Sequence, residues 1–163
     1  MDNKCYMGRK SKRIRGLIMV VYTRNEAFLS KFTKVDQIGI IVKDLEKKMK
    51  FYEQIFGIEP FLTLESEINS AKLKIGLLYL NEIQIELIEV LEGETIHSKF
   101  LESRGEGLHH IGFFVDDIET ELTRLKRSGI KVLERGTVLE ITKFAYLDTE
   151  KELGVILELI QFD

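Results

Sequence analysis

The chain carries a single cysteine, Cys5, so no disulfide can form within it. Without a CxxC pair or a Cys/His cluster there is no thiolate zinc site either, and a reducing cytoplasm is the expected setting. Long apolar runs are also missing. Crossing a bilayer takes about 20 consecutive apolar residues, and no membrane role is expected. The opening stretch MDNKCYMGRKSKRIRGLIMVVY sets Lys4, Arg9, Lys10, Lys12, Arg13 and Arg15 ahead of the short run GLIMVVY, in superficial likeness to a signal peptide. The polar TRNE that follows offers no small-residue cleavage site. Residues 1–32 are therefore read as a loosely attached N-terminal extension of no assigned role, with Met19 as an alternative initiator. Nor is there an excess of positive charge. The 24 Lys and Arg against 27 Asp and Glu leave a net charge of -3, so nothing draws the whole chain to nucleic acid or to an anionic surface. A small molecule is the default partner.

What is present is enough for one folded domain. With 163 residues, 44% of them hydrophobic, the chain can bury a substantial core. Its organising feature is an internal duplication. VDQIGIIVKDLE is answered by LHHIGFFVDDIE, and Gln37, Ile38, Gly39, Val42, Asp44, Leu45 and Glu46 match His110, Ile111, Gly112, Val115, Asp117, Ile118 and Glu119. Further on, FGI ending at Ile58 matches SGI ending at Ile130, and IELI from Ile85 matches LELI from Leu157. A repeat of about 72 residues seen twice is too long for a solenoid unit and reads as two copies of one module.

Each copy can be read from its periodicity. QIGIIV and HIGFFV are short β-branched and aromatic runs, hence strands. Asp44 and Asp117 then stand at helix N-caps, followed by apolar positions Leu45, Met49, Tyr52, Phe56 and Ile118, Leu122, Leu125 at helical spacing. Gly57 and Gly129 stop the helices where a left-handed residue is needed. Strands are expected over about Ile58 to Leu64, Lys72 to Leu80 and Glu82 to Val90, and again over Ile130 to Glu134, Lys143 to Leu147 and Gly154 to Gln161. The order is β-α-β-β-β twice, with Thr95 to Gly105 as a helical connector.

Alternation along a strand turns Gln37 away from Ile38, Ile40 and Val42, and His110 away from Ile111, Phe113 and Val115. Glu86 lies inside IELI and Glu158 inside LELI, at equivalent places in the two copies. A carboxylate in an apolar strand costs several kcal/mol unless it is paired or metal-bound. If the modules pack about a pseudo-twofold axis, Gln37, Glu86, His110 and Glu158 meet at one site. The competing reading makes the two glutamates partnered structural carboxylates, His110 a hydrogen-bonded strand histidine, and Gln37 an amide satisfied by backbone. His109 is expected to face away from the site, and His97, on the connector, to be solvated. The charged helices read as wet faces, and the glycines of RGEGLHH as a turn.

The segments VDQIGIIVKDLEKKMKFYEQIFGI and GLHHIGFFVDDIETELTRLKRSGI, with IELIEVLEGETIHSKFLESRGEG between them and GVILELIQ at the end, resemble the vicinal oxygen chelate superfamily of glyoxalases, bleomycin resistance proteins and dioxygenases. Within it the likeness is to methylmalonyl-CoA epimerases first and glyoxalase I next, from Thr33 to Gln161. The resemblance implies an α+β fold in which residues 33–163 form one domain. Two tandem βαβββ modules, 33–92 and 107–163, joined by a connector 93–106, pair into a cupped, barrel-like mixed sheet around one metal site. Carried over motif by motif, the metal ligands fall on Gln37, Glu86, His110 and Glu158. The resemblance implies Glu158 as the base, with Glu86 as a possible second base. Such an oxygen-rich set suits Zn, Co, Ni, Mn or Mg.

The implied function is that of a metal-dependent isomerase or lyase removing a proton next to a metal-bound carbonyl, as an epimerase does on an acyl-CoA thioester. Lys72, Lys74, Lys99 and Arg104 are then candidates for contacting CoA phosphates. Epimerases of the family usually carry histidine at the position of Gln37, and KLKIGLLYL offers no carboxylate for a second base. Gln37 favours the alternative, a glyoxalase I-like lactoylglutathione lyase acting on a hemithioacetal, and the missing carboxylate weakens the epimerase reading without excluding it. A second alternative is a non-catalytic small-molecule binding protein of the same fold. Exposed sheet edges lead us to expect a homodimer.

Overall fold

The computed structural model describes residues 8–14, 17–23, 32, 34–58 and 62–162. Two units separate, Met1–Lys31 and Phe32–Asp163. In the first, β1 (Gly8–Ile14) and β2 (Leu17–Thr23) form an antiparallel hairpin running from Gly8 opposite Thr23 to Ile14 opposite Leu17. This hairpin occupies the stretch read as a loose extension. Cys5, Lys4 and Arg15 lie outside the described residues.

The second unit starts with β3 (Gln37–Val42) and α1 (Leu45–Phe56), then three strands, β4 (Leu62–Ile68), β5 (Ala71–Leu80) and β6 (Ile83–Glu92). Helix α2 (Ile96–Arg104) leads to the second copy, which runs through β7 (Gly107–Phe114), α3 (Ile118–Arg127), β8 (Val132–Val138), β9 (Thr142–Leu147), the one-turn α4 (Glu150–Leu153) and β10 (Ile156–Phe162). Both long helices begin as their caps require. The Asp44 carboxylate accepts from Lys47 N at 2.9 Å, and that of Asp117 from Thr120 N at 3.0 Å, each satisfying one of the amides a helix start leaves free. Gly57 ends α1 at φ 63°. In the second copy Ser128 is the cap and Gly129, at φ 84°, follows it.

Two strands sit later than their apolar runs suggest. The first of each triplet extends to Ile68 and to Val138, through the polar residues Glu65 to Glu67 and Glu134 to Thr137. These are the edge strands, where one row of backbone groups and much of the side-chain surface stay wet, so hydrophobicity is a poor guide to their length. The start expected at Ile58 adjoins residues 59–61, which lie outside the described residues.

Eight strands form one mixed sheet in the order β4-β5-β6-β3-β7-β10-β9-β8. Each half reads the same way outward from the centre, with β3 parallel to β6, β7 parallel to β10, and β3 antiparallel to β7. The edges β4 and β8 come into contact, so the sheet curls almost into a barrel. Helix α1 covers one outer core of Val42, Leu45, Leu78, Ile85 and Leu87, and α3 a second of Val115, Ile118, Leu122, Ala145, Leu147 and Leu159. Of the apolar stripe expected on α1, Leu45 is buried whereas Phe56 is 46% exposed. A third cluster fills the concave face: Ile41, Ile68, Leu73, Ile75, Ile88, Phe144, Tyr146 and Ile156, with Ile96, Phe100 and Leu101 of α2 against it. No helix among the described residues is long and apolar enough to cross a membrane.

Candidate active site

The alternation argued from sequence places Gln37 of β3, Glu86 of β6, His110 of β7 and Glu158 of β10 on the concave face, and the strand order makes them neighbours. His110 Nε2 stands 3.1 Å from Glu158 Oε2, 3.3 Å from Glu86 Oε2 and 3.4 Å from Gln37 Oε1. Gln37, His110 and Glu158 are buried, and the Glu86 side chain is 13% exposed.

The glycine that follows each of the paired positions explains why the repeat keeps it. A Cβ at Gly39 would stand 1.9 Å from Cε1 of His110, and a Cβ at Gly112 would stand 2.8 Å from Cβ and 2.9 Å from Oε1 of Gln37. Because β3 and β7 are antiparallel neighbours, with Gly39 opposite His110 and Gly112 opposite Gln37, the glycine of each half makes room for the polar side chain of the other. Sequence reading paired these glycines without finding their purpose.

Three oxygens are thus aimed at one nitrogen, which carries at most one proton. Glu86 Oε2 and Glu158 Oε2 are buried with no other partner than that nitrogen, whose single proton cannot satisfy both. A buried carboxylate oxygen left in that state is costly. Burial by itself disfavours a charged His110, but Glu158 and Glu86 outweigh it and push the ring up to about 9. Glu158 in turn is raised, by burial first and by Glu86, against the pull of His110.

Each of these side chains is held from behind. Gln37 Nε2 donates to Gln84 Oε1 at 2.7 Å, and Gln84 Nε2 donates to the Tyr79 hydroxyl at 2.7 Å, which leaves Gln37 Oε1 facing inward. The Tyr146 hydroxyl hydrogen-bonds to Glu158. His97 Nε2 lies 3.2 Å from that hydroxyl, and His97 Nδ1 lies 3.1 Å from Thr95 Oγ1. A single direction satisfies every group: Thr95 donates to His97, His97 to Tyr146, and Tyr146 to the carboxylate. Gln84, Tyr146, Thr95 and His97 were not foreseen as parts of the site. The pairing of β3 with β6 that sets Gln84 opposite Gln37 is a long-range fact, and Tyr146 reads from sequence as an ordinary strand aromatic.

Two histidines depart from expectation. His97, expected in water, is 2% exposed, because α2 turns its first residues against the concave cluster. Burial, and then His110, lower it to about 3. His109, expected to face away, does not, because the register of β3 against β7 shifts after Gly39. His110 lies opposite Gly39 and Leu108 opposite Ile40, so His109 is the extra residue of a bulge, where alternation fails. Its ring sits against Phe100, His97 and Tyr146, with Nδ1 3.0 Å from His110 Nδ1. The basic side chains considered for CoA phosphates are all ion-paired: Lys72 with Glu92, Lys74 with Glu46, Lys99 with Glu94 and Arg104 with Glu150.

The space beside Gln37, Glu86 and Glu158 is a cavity of about 50 Å3, walled by Ile68, Leu73, Ile75, Ile88, Phe144 and Ile160. A larger hollow of about 800 Å3 lies outside, over α1, lined by Lys43, Lys47, Lys48 and Glu106. It is shallow and charged, touches none of the four, and gives no reason to place chemistry there. Glu86, His110 and Glu158 bring ligating atoms within 4.8 Å of one another, and a divalent cation among them would satisfy the oxygens that now lack partners. The residues fit such an ion.

Residues 36–146 match the model of the Glyoxalase/Bleomycin resistance protein/Dioxygenase superfamily. The chain belongs to this superfamily. Among similar proteins, the uncharacterized protein YqjC of Bacillus subtilis is 28% identical over 130 residues, spanning 78% of this chain and 91% of that protein. The solved structure of hypothetical protein BH1468 from Bacillus halodurans superposes with a TM-score of 0.67 at 31% identity, covering 80% of this chain and 94% of that one. A variant of Streptomyces coelicolor methylmalonyl-CoA epimerase in complex with 2-nitronate-propionyl-CoA superposes with a TM-score of 0.64 at 25% identity, covering 81% and 96%.

Proposed function

We propose that this superfamily member is a metal-dependent enzyme that moves a proton at a carbon beside a carbonyl group, on an acyl-CoA thioester, in the manner of an epimerase. One observation carries the reading: two buried carboxylate oxygens with no other partner converge with an amide oxygen on His110 Nε2. In it, Gln37, Glu86, His110 and Glu158 hold a divalent ion. When bound, such an ion supplies Lewis acidity, drawing negative charge onto a carbonyl oxygen and making the neighbouring C–H acidic.

The protein's own groups do the rest. Glu158 takes the proton. Burial raises its pKa, which brings a carboxylate closer to the basicity that proton transfer from carbon needs. Tyr146, donating to Glu158, keeps the carboxylate in one orientation. Glu86, on β6 of the other half, is the second acid/base group: protonated from solvent, it would deliver that proton to the second face while Glu158 releases the one it took, so that the proton count balances. The aliphatic wall keeps water from competing for the carbanion-like intermediate. The likeness to an epimerase bound to an acyl-CoA compound supports the thioester.

A specific observation favours a second reading, a lyase of the lactoylglutathione type. Where β5 faces the cavity it presents Leu73 and Ile75, so a reaction with one base working on one face also fits. Incubation with methylmalonyl-CoA in D2O, with Zn, Co or Mn, tests both. Wild type is expected to incorporate α-deuterium, and Glu158→Gln to lose about 10²- to 10⁴-fold in rate, as loss of a general base does. Turnover of a glutathione hemithioacetal without thioester exchange would select the lyase. Absence of ion uptake and of both activities would leave a binding protein.

A further inference from the structure

The histidine pair His109-His110 replaces Asp36-Gln37 of the first copy, and the two halves use the leading residue differently. Asp36 is spent on the fold: its carboxylate accepts from Phe114 N at 2.9 Å and pairs with Lys34 at 3.5 Å. His109 makes no such bond. Its Nδ1 meets His110 Nδ1 at 3.0 Å, while its Nε2 is buried with no hydrogen-bond partner. Of two facing nitrogens, one must donate and the other accept.

His110 Nε2 faces three oxygens, two of them carboxylate; with its lone pair given to an ion there, or as the charged ring between those carboxylates, His110 carries a hydrogen on Nδ1. His109 must then be the acceptor, and the proton of its own neutral ring sits on Nε2, where nothing receives it. A buried N–H left unsatisfied is destabilising. An apolar residue in the bulge would avoid that cost. A histidine at this position is explained if its Nδ1 lone pair is needed.

We propose that His109 is a positioning residue. By accepting from His110 Nδ1–H it fixes the tautomer and ring plane of His110, so that Nε2 is the atom presented to Glu86, Glu158 and Gln37. The inference rests on the reading of His110 as a metal ligand, and supplies the outer partner that ligating histidines use. His109 is itself held without competing polar bonds. The Phe100 ring meets it edge-on at 5.1 Å, and His97, tied to Thr95 and Tyr146, lies 4.8 Å away. Helix α2, a connector by sequence, thereby braces the site through His97 and Phe100.

Two substitutions separate the bond from the packing. His109→Phe keeps the ring and loses the acceptor; His109→Asn loses the ring but places an amide oxygen where Nδ1 stood. Zinc affinity, read by competition with a chromophoric chelator, is expected to fall about 10- to 100-fold in His109→Phe, the loss typical for removing an outer partner, and to recover most of that in His109→Asn. Long-range 1H–15N spectra of the wild type should show His109 as the neutral Nε2–H form and His110 protonated at Nδ1. Phe binding zinc as tightly as wild type, Asn binding as weakly as Phe, or a proton on His109 Nδ1 would each overturn the proposal. Wild type that takes up no zinc would sink the ligand reading instead, while the metal-free spectrum would still decide the His109–His110 bond.

Discussion

Gly39→Ala is the sharpest perturbation of this site, because it adds one methyl group and removes no polar atom. The new Cβ would lie 1.9 Å from Cε1, 2.1 Å from Nε2 and 2.4 Å from Nδ1 of His110. Non-bonded carbons settle at about 3.5 to 4.0 Å, so the ring must retreat by about 1.5 Å or more. The backbone cannot give way, since Gly39 sits in the ladder between β6 and β7. A ring driven that far loses its contacts to Glu158, Glu86, Gln37 and His109 together.

Overpacking costs about 1–3 kcal/mol and breaking a buried ion pair about 3–5 kcal/mol, so a loss of about 4–8 kcal/mol is expected against a whole-domain stability of about 5–15 kcal/mol. Gly57→Ala, at φ 63° with nothing within 4 Å of the added methyl, should cost only about 1 kcal/mol. Urea denaturation would measure both. The decisive comparison is Gly39→Ala made in a His110→Ala background, where the methyl enters space the ring has left. The two substitutions should then couple by more than about 2 kcal/mol. Equal cost of Gly39→Ala in both backgrounds would refute the reasoning, as would a single variant with unchanged midpoint and zinc uptake.

Gln84→Leu should release the Gln37 amide from its inward-facing pose and weaken zinc binding about tenfold, with little change in the far-UV circular dichroism; unaltered affinity would show that Gln37 needs no such support. Since the metal-free His110 holds its proton up to about 9, an ion taking Nε2 must displace it, and zinc affinity should climb roughly tenfold per pH unit between pH 6.5 and 8.5; a flat profile in a chelator competition would contradict that. His97 and His109 are lowered to about 3 and about 2 by burial, whereas the unfolded chain protonates near 6.5. Their contribution is therefore complete above pH 6.5 and is lost as pH falls toward 3. His110, raised, contributes fully below 6.5 and offsets little of this loss. The metal-free protein should lose on the order of 3 kcal/mol between pH 6.5 and 4.5, visible as a lower urea midpoint, and an unchanged midpoint would mean that the two rings are solvated.

How far the sequence reaches can be judged residue by residue. The duplication, the β-α-β-β-β order, the caps at Asp44 and Asp117 and the inward direction of Gln37, Glu86, His110 and Glu158 all follow from local rules: strand alternation, helical spacing, and the preference of aspartate for a helix start. The edge strands β4 and β8 run later than their apolar residues suggest, because half-wet strands carry a weak apolar signal. His97 was put in water because α2 has few apolar residues on any one face, and only its packing against the concave cluster shows that the first turn is inside.

The periodic pattern by itself therefore determined that two like modules exist and which side chains each turns toward its concave face, since those depend on neighbours within a few residues along the chain. Tertiary structure alone decided that the modules meet along β3 and β7, that Gly39 clears space for His110 and Gly112 for Gln37, that a bulge brings His109 beside His110, and that Gln84 stands opposite Gln37. Each of these depends on the register between strands far apart in sequence. That register is set by the sum of packing across the whole sheet, and no local window of the chain contains it.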